Sequence, residues 1–246
     1  MSRPIAIITG ASGGIGRACA LALAAGHDVA LQFASHAAPA EALAKEIRQA
    51  GTARAEIFQA DLSQKGAAEA LVEQVAQKMG APAVLIHAAG QIIEKPIAFT
   101  RPEDWDALFE IHSIAAALLS KAMLRYLRKI DTGRIVYVGS LAGEIGLGNG
   151  ATYAAAKGAL NGLCKSLALE AARWKTTVNV IAPGYVETHM TEAHDEQRRA
   201  ELCKNVPLGR YGKPEEIGAL AAFLCSAGAA YITGQTIVVD GGMSLG

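Results

Sequence analysis

Tyr153 and Lys157 stand four residues apart in an Ala-rich stretch, so on a helix their side chains share one face. A free tyrosine has a pKa near 10, too high for easy proton exchange at pH 7, and an adjacent ammonium favours the phenolate and lowers it. Ser140 lies thirteen residues earlier, just beyond the apolar run 134–138, and its hydroxyl is suited to hold an oxygen on which negative charge develops. Together the three residues suit general acid catalysis on a carbonyl. A second group of residues suits phosphate. The first apolar run leads directly into Thr9-Gly10-Ala11-Ser12-Gly13-Gly14-Ile15-Gly16, where glycines permit a tight turn and a following helix start offers free N–H groups to a pyrophosphate.

These residues need a frame, and the chain alternates short β-branched runs with helical stretches throughout. Strands are predicted over 4–9, 28–33, 54–59, 83–87, 134–138, 177–182 and 236–239, and helices over 14–25, 39–50, 65–79, 102–128, 152–172 and 214–225. Continuous apolar runs such as Ile5-Ala6-Ile7-Ile8 fit strands covered on both faces. The fold class is therefore α/β, a doubly wound Rossmann-type sheet of seven parallel strands in one domain over 1–246. The polar span 183–212, with Glu192, His194, Asp195, Glu196, Arg198 and Arg199, is long for a connection and reads as a lid over a ligand.

Composition narrows the class further. With 23 Lys+Arg against 23 Asp+Glu in 246 residues, the chain lacks the basic excess of nucleic-acid-binding domains. No uninterrupted apolar stretch approaches the length of a membrane span, and the first apolar run is too short for a signal peptide. Cys19, Cys164, Cys203 and Cys225 have neither CxxC nor metal-ligand spacing, so reduced thiols, a cytoplasmic location and no metal are expected. His189 and His194 read as surface of the lid.

The spacing Gly10-x3-Gly14-x-Gly16 after Thr9, with Ser140-Leu141-Ala142-Gly143 and Tyr153-Ala154-Ala155-Ala156-Lys157, resembles the short-chain dehydrogenase/reductase family. Pro183-Gly184-Tyr185-Val186-Glu187-Thr188, Pro207-Leu208-Gly209-Arg210 and Tyr231-Ile232-Thr233-Gly234-Gln235 extend the likeness over nearly the whole chain and are most similar to its 3-oxoacyl-acyl-carrier-protein reductases. The resemblance implies Ser140, Tyr153 and Lys157 as the catalytic set, with Lys157 and Tyr153 also at the nicotinamide ribose. It implies Gly10, Ser12, Gly14, Ile15 and Gly16 at the pyrophosphate, and Asp61 and Leu62 beside the adenine. Ala88, Ala89 and Gly90 would lie along the adenosine side, and Pro183, Gly184, Val186 and Thr188 at the nicotinamide amide or phosphates.

Four positions depart from the family pattern. His87-Ala88-Ala89-Gly90 stands where Asn-Asn-Ala-Gly is usual, Gly13 replaces an Arg common in NADP-dependent members, and His112 occupies the place of a catalytic Asn. An imidazole relays protons and titrates near neutrality, so His112 is a fourth catalytic candidate; a helix-face histidine without a role is the alternative. No carboxylate ends the second predicted strand, so NADP(H) is favoured over NAD(H), with Ser12, Ser35 and His36 to meet the 2′-phosphate.

The implied activity is NADPH-dependent reduction of a 3-oxoacyl thioester by a homotetramer. Its substrate would be carried by CoA or an acyl carrier protein, the latter met by Arg125, Arg128, Lys129, Arg173 and Lys175. A reductase of another alcohol or ketone, and a weakened NADP-binding protein, are the alternatives.

Overall fold

Strands buried on both faces account for the unbroken apolar runs: Ile5–Thr9, Pro82–His87, Arg134–Val138 and Thr177–Pro183 are buried at every position. The computed structural model describes residues 3–51, 53–191 and 195–246, so Glu192 and His194 of the polar span lie outside the described residues. In chain order the elements are β1 (Ile5–Thr9), α1 (Gly14–Ala24), β2 (Asp28–Phe33), α2 (Ala37–Gln49), β3 (Ala55–Gln59), α3 (Ala67–Lys78) and β4 (Pro82–His87). Then follow α4 (Pro102–Phe109), a π-helical turn (Glu110–Ile114), α5 (Ala115–Leu127), β5 (Arg134–Val138), α6 (Ala142–Ile145) and α7 (Ala151–Ala171). β6 (Thr177–Pro183), α8 (Glu196–Cys203), α9 (Pro214–Leu224) and β7 (Thr236–Val239) complete the chain.

The seven strands are all parallel, in the order β3-β2-β1-β4-β5-β6-β7. The chain therefore runs outward from β1 to β3 and returns to lay β4 against β1, so the winding reverses there. A ligand crevice opens beyond the carboxyl ends of strands at such a point. Alternate strand residues feed two cores. Ile5, Ile7 and Leu85 pack with α3, α5 and α7, while Ala6, Ile8 and Ile86 pack with α1, α2 and α9.

The helix predicted over 102–128 is interrupted by the π-turn. One residue is inserted into the helical ladder there, and neither glycine nor proline marks the place. The short α6 and the α8 within the polar span are also additions to the predicted elements. By length and composition Pro102–Leu127 would suffice to cross a membrane. Its apolar side is occupied otherwise, with Leu108, Ala116, Leu119, Met123 and Leu127 all fully buried in the fold. The four cysteines are unpaired, and burial pushes the thiols of Cys19, Cys164 and Cys225 up to about 12, which leaves them unreactive.

One backbone position fixes how closely β1 and β4 approach. Gly10 has φ +63°, and a Cβ there would stand 2.8 Å from the Cα and N of Ala89. Gly10→Ala is expected to destabilise the fold by at least about 1–3 kcal/mol. Urea unfolding measures this, and an unchanged midpoint would show that the approach is not tight.

Candidate active site

The site begins where β1 leaves the sheet. The Thr9 hydroxyl accepts the backbone N–H groups of Ala88 and Ala89, each at 3.1 Å, which fastens the end of β1 to the segment after β4. Gln32 supports the glycine turn from β2: its Oε1 accepts the Gly10 N–H at 2.8 Å, and its Nε2 donates to the Ala60 carbonyl at 2.6 Å. The first helical bond of α1 runs from the Arg17 N–H to the Gly13 carbonyl (2.7 Å). The N–H groups of Gly10, Ala11 and Gly13 are bonded within the fold, so the amides left for a ligand are those of Ser12, Gly14, Ile15 and Gly16 at the helix start. No side chain caps this helix start, and no acidic residue opposes the positive end of its dipole.

Glycines make this cradle possible. A Cβ on Gly16 would meet the Gly10 carbonyl oxygen at 2.2 Å, and one on Gly14 would meet Cγ2 of Thr188 at 2.9 Å. The uncapped helix start and the side-chain-free floor fit the pyrophosphate of a nicotinamide dinucleotide. At the far end Asp61 folds into a turn, its carboxylate accepting the Ser63 hydroxyl (2.7 Å) and N–H (3.0 Å). Those bonds, with one from Gln64, hold it below the usual carboxylate range.

A single cleft of about 940 Å³ joins this cradle to Ser140, Tyr153, Lys157 and His112. Its wall includes Gly10, Ser12, Gly14, Ile15, Gly16, Asp61, Leu62, Ala88, Ala89, Gly90, Pro183, Gly184, Val186 and Thr188, positions that the family resemblance implies for the cofactor. Ser35 and His36 do not join them. The chain turns away after Ala34 into α2, and the two side chains bond each other at 2.9 Å on the exposed surface. Gln32 and Ala34 line the cleft at that end instead. Gln32 has a sequence signal, a polar residue inside an apolar strand. Gln91, Ile92, Glu94 and Met243, which also line the cleft, have none.

The chemical end is assembled by three elements. Ser140 follows β5, and its Oγ accepts the Ala142 N–H at 3.1 Å. α6 packs on α7 with almost no gap: a Cβ on Gly143 would meet the Gly158 N at 2.8 Å. Backbone contact thus sets Ser140 against the helix that carries Tyr153 and Lys157. Lys157 Nζ donates to the Val138 carbonyl at 2.8 Å and lies 5.8 Å from the centroid of the Tyr153 ring. His112, on the π-turn, packs nearly perpendicular to the Tyr153 ring, with centroids 5.5 Å apart.

In the ligand-free cleft burial dominates the electrostatics. Burial pushes the Tyr153 phenol up, with the Ser140 hydrogen bond opposing it. Lys157, buried with no counter-charge, is lowered to about 7. His112 is held well below its ordinary range, chiefly by burial and then by Lys157. In this cleft the phenol keeps its proton and the amine is close to losing one.

Three comparisons with known proteins bear on this geometry. A family model described as enoyl-(acyl carrier protein) reductase matches residues 10–244. The chain is 37% identical over 239 residues to the 3-oxoacyl-acyl-carrier-protein reductase of Pseudomonas aeruginosa, covering 97% of this chain and 96% of that one. It is 38% identical to the enzyme of the same name from Escherichia coli, with the same coverage. The chain belongs to the short-chain dehydrogenase/reductase family. Among solved members, acetoin dehydrogenase from Salmonella typhimurium superposes with TM-score 0.91 at 35% identity, covering 100% of this chain and 98% of that one. A blue fluorescent protein from a metagenomic library, in complex with NADPH, superposes with TM-score 0.93 at 32% identity, covering 99% and 98%. As a short-chain dehydrogenase/reductase the protein is an oxidoreductase whose fold binds a nicotinamide cofactor.

The depressed Lys157 has a consequence for stability. The folded chain resists protonating Lys157 above pH 7, whereas the unfolded chain binds that proton up to its ordinary pKa of about 10.4. Between these values the unfolded state holds more protons, so stability rises with pH from 7 to 10. Lys157→Met is expected to stabilise the ligand-free protein at pH 7 by about 1 kcal/mol or more and to flatten that dependence. Denaturant unfolding at pH 7 and pH 9.5 checks both. A variant less stable than wild type at pH 7, with the slope retained, would contradict the burial argument.

Proposed function

We propose that this short-chain dehydrogenase/reductase reduces a 3-oxoacyl thioester to the 3-hydroxyacyl thioester with NADPH. The observation that carries the reading is that Ser140, Tyr153 and Lys157 share one cleft with an uncapped glycine turn. Gly10, Ser12, Gly14, Ile15 and Gly16 would hold the pyrophosphate, Asp61 and Leu62 the adenine, Ala88, Ala89 and Gly90 the adenosine side, and Pro183, Gly184, Val186 and Thr188 the nicotinamide. A bound reduced nicotinamide supplies hydride. Ser140 donates a hydrogen bond to the ketone oxygen as negative charge develops there, and Tyr153 passes its phenolic proton to the same oxygen. Lys157 holds the nicotinamide ribose, and the cofactor's cationic form, together with a protonated Lys157, draws the buried phenol toward proton release.

NADPH over NADH is supported by the cleft wall at the end of β2. It presents Gln32, whose amide is already engaged, and Ala34, so no carboxylate repels a 2′-phosphate. Ser12 is the remaining donor from the sequence-derived set on that wall. The span 183–212, containing α8, would act as a lid. A homotetramer is supported by exposed apolar side chains on α7 and toward the C-terminus, Leu169, Tyr231 and Leu245, which a second copy of the chain would cover.

For an acyl carrier protein the docking charges would be Arg128, Lys129 and Arg173. Lys175 and Asp131 pair at 3.0 Å, which places the chain after α5 beside that after α7. Arg125 pairs with Glu73. These two neutralised cations favour a second reading, a reductase of small hydroxyketones or diketones like the acetoin dehydrogenases it resembles in structure.

Oxidation of NADPH by acetoacetyl-CoA tests the first reading. Wild type is expected to turn over, faster with NADPH than with NADH. Tyr153→Phe should lower kcat by about 10²–10⁴-fold with NADPH binding retained. Turnover on butane-2,3-dione with none on acetoacetyl-CoA would establish the second reading instead.

A further inference from the structure

His87, the last residue of β4, is 1% exposed and belongs to neither the cofactor cradle nor the acid pair. Its tautomer follows from its neighbours. The Thr9 hydroxyl has two lone pairs and one hydrogen. The lone pairs are taken by the N–H groups of Ala88 and Ala89. Its hydrogen therefore goes to its remaining partner, Nδ1 of His87, at 2.9 Å. Nδ1 is then an acceptor and the ring proton sits on Nε2, which points between the carbonyls of Ile111 (3.1 Å) and His112 (3.2 Å).

Those carbonyls belong to the π-turn, where the inserted residue displaces backbone groups from the helical ladder. The same turn carries the His112 ring. Its Nε2 donates to the Gln91 carbonyl at 2.8 Å, and its ring packs nearly perpendicular to that of Tyr153. The ring is also seated on Gly90, where a Cβ would stand 2.2 Å from its Cε1. One imidazole thus links the end of β1 to the turn that packs against the phenol. The titratable groups facing it are Lys157 on α7 and His112 on the turn itself. Burial first, and Lys157 second, lower the His87 pKa to about 4, so the ring is neutral at pH 7.

We propose that His87 is a positioning residue for the reduction: its Nε2–H holds the two π-turn carbonyls, and through them His112 and Tyr153, in the geometry that delivers the proton. The inference rests on Tyr153 acting as the acid. A loss of the donor misplaces reacting groups without removing any of them, so it weakens turnover more than binding.

The test compares wild type, His87→Leu and His87→Asn with NADPH and acetoacetyl-CoA, or with butane-2,3-dione if that is the ketone reduced. His87→Leu is expected to lower kcat by about 10–100-fold, with KM for NADPH changed less than about threefold. His87→Asn keeps an N–H donor and should restore most of kcat. Equal kcat in wild type and His87→Leu would overturn the role, as would an asparagine variant as slow as the leucine one. Absence of wild-type turnover on either ketone would instead remove the reductase reading, and this role with it. Should His87→Leu fail to fold, ¹⁵N NMR of the wild-type histidines at pH 7 decides: an Nε2–H tautomer at His87 supports the proposal, and an Nδ1–H tautomer or imidazolium refutes it.

Discussion

The hydroxyl of Thr9 is the joint on which the site depends. By taking two amides from the segment after β4 it ties the end of β1 to the strand beside it, across the point where the winding of the sheet reverses. On one side of this joint the chain enters the glycine turn, with Gly10 pressed onto the Ala88–Ala89 backbone. On the other, His87 reaches the π-turn. A phosphate cradle and an acid–base end that lie far apart in sequence are thereby held to one cleft by backbone contacts and a few buried hydrogen bonds. Such contacts suit the work, because catalytic geometry tolerates little displacement.

Burial then sets the charge states. A phenol, an amine and the imidazole of His112 line the cleft, with the imidazole of His87 buried behind it, and among the described residues no buried carboxylate balances them. Desolvation disfavours each charged form. The phenol stays protonated, Lys157 is brought near neutrality and both histidines are neutral at pH 7. A site in that condition is ready to give a proton, and it responds strongly to any charged ligand. This cost to the ligand-free fold belongs to the same physics as the proposed activity.

Local spacing made much of this legible in the sequence. The seven strands, the glycine turn and the Tyr153–Lys157 face are each written within a short window, where periodicity and glycine placement act directly. What required the structure depends on residues distant in sequence. The π-turn has no glycine or proline to mark it, since it is an inserted residue stabilised by His87 from another element. Ser35 and His36 follow the second strand, which ends at Phe33 as its spacing predicts, but nothing local in the sequence shows that the chain turns away after Ala34 and sets both side chains on the exposed surface. The protonation state of Tyr153 in the ligand-free cleft is hidden from the sequence for a related reason: a neighbouring ammonium can be inferred from spacing, but the desolvation that opposes it comes from tertiary packing.

The central claim is that this cleft brings a hydride donor and the Tyr153 proton to the two ends of one carbonyl. Isotope transfer tests it most directly. With NADPH stereospecifically deuterated at the transferring C4 position and a 3-oxoacyl thioester in ordinary water, mass spectrometry and NMR of the product locate the label. The account predicts one deuterium on C3 of the 3-hydroxyacyl product when the correct C4 face is labelled, and none when the other face is. Product formed without deuterium from either labelled cofactor would contradict direct hydride transfer in this cleft.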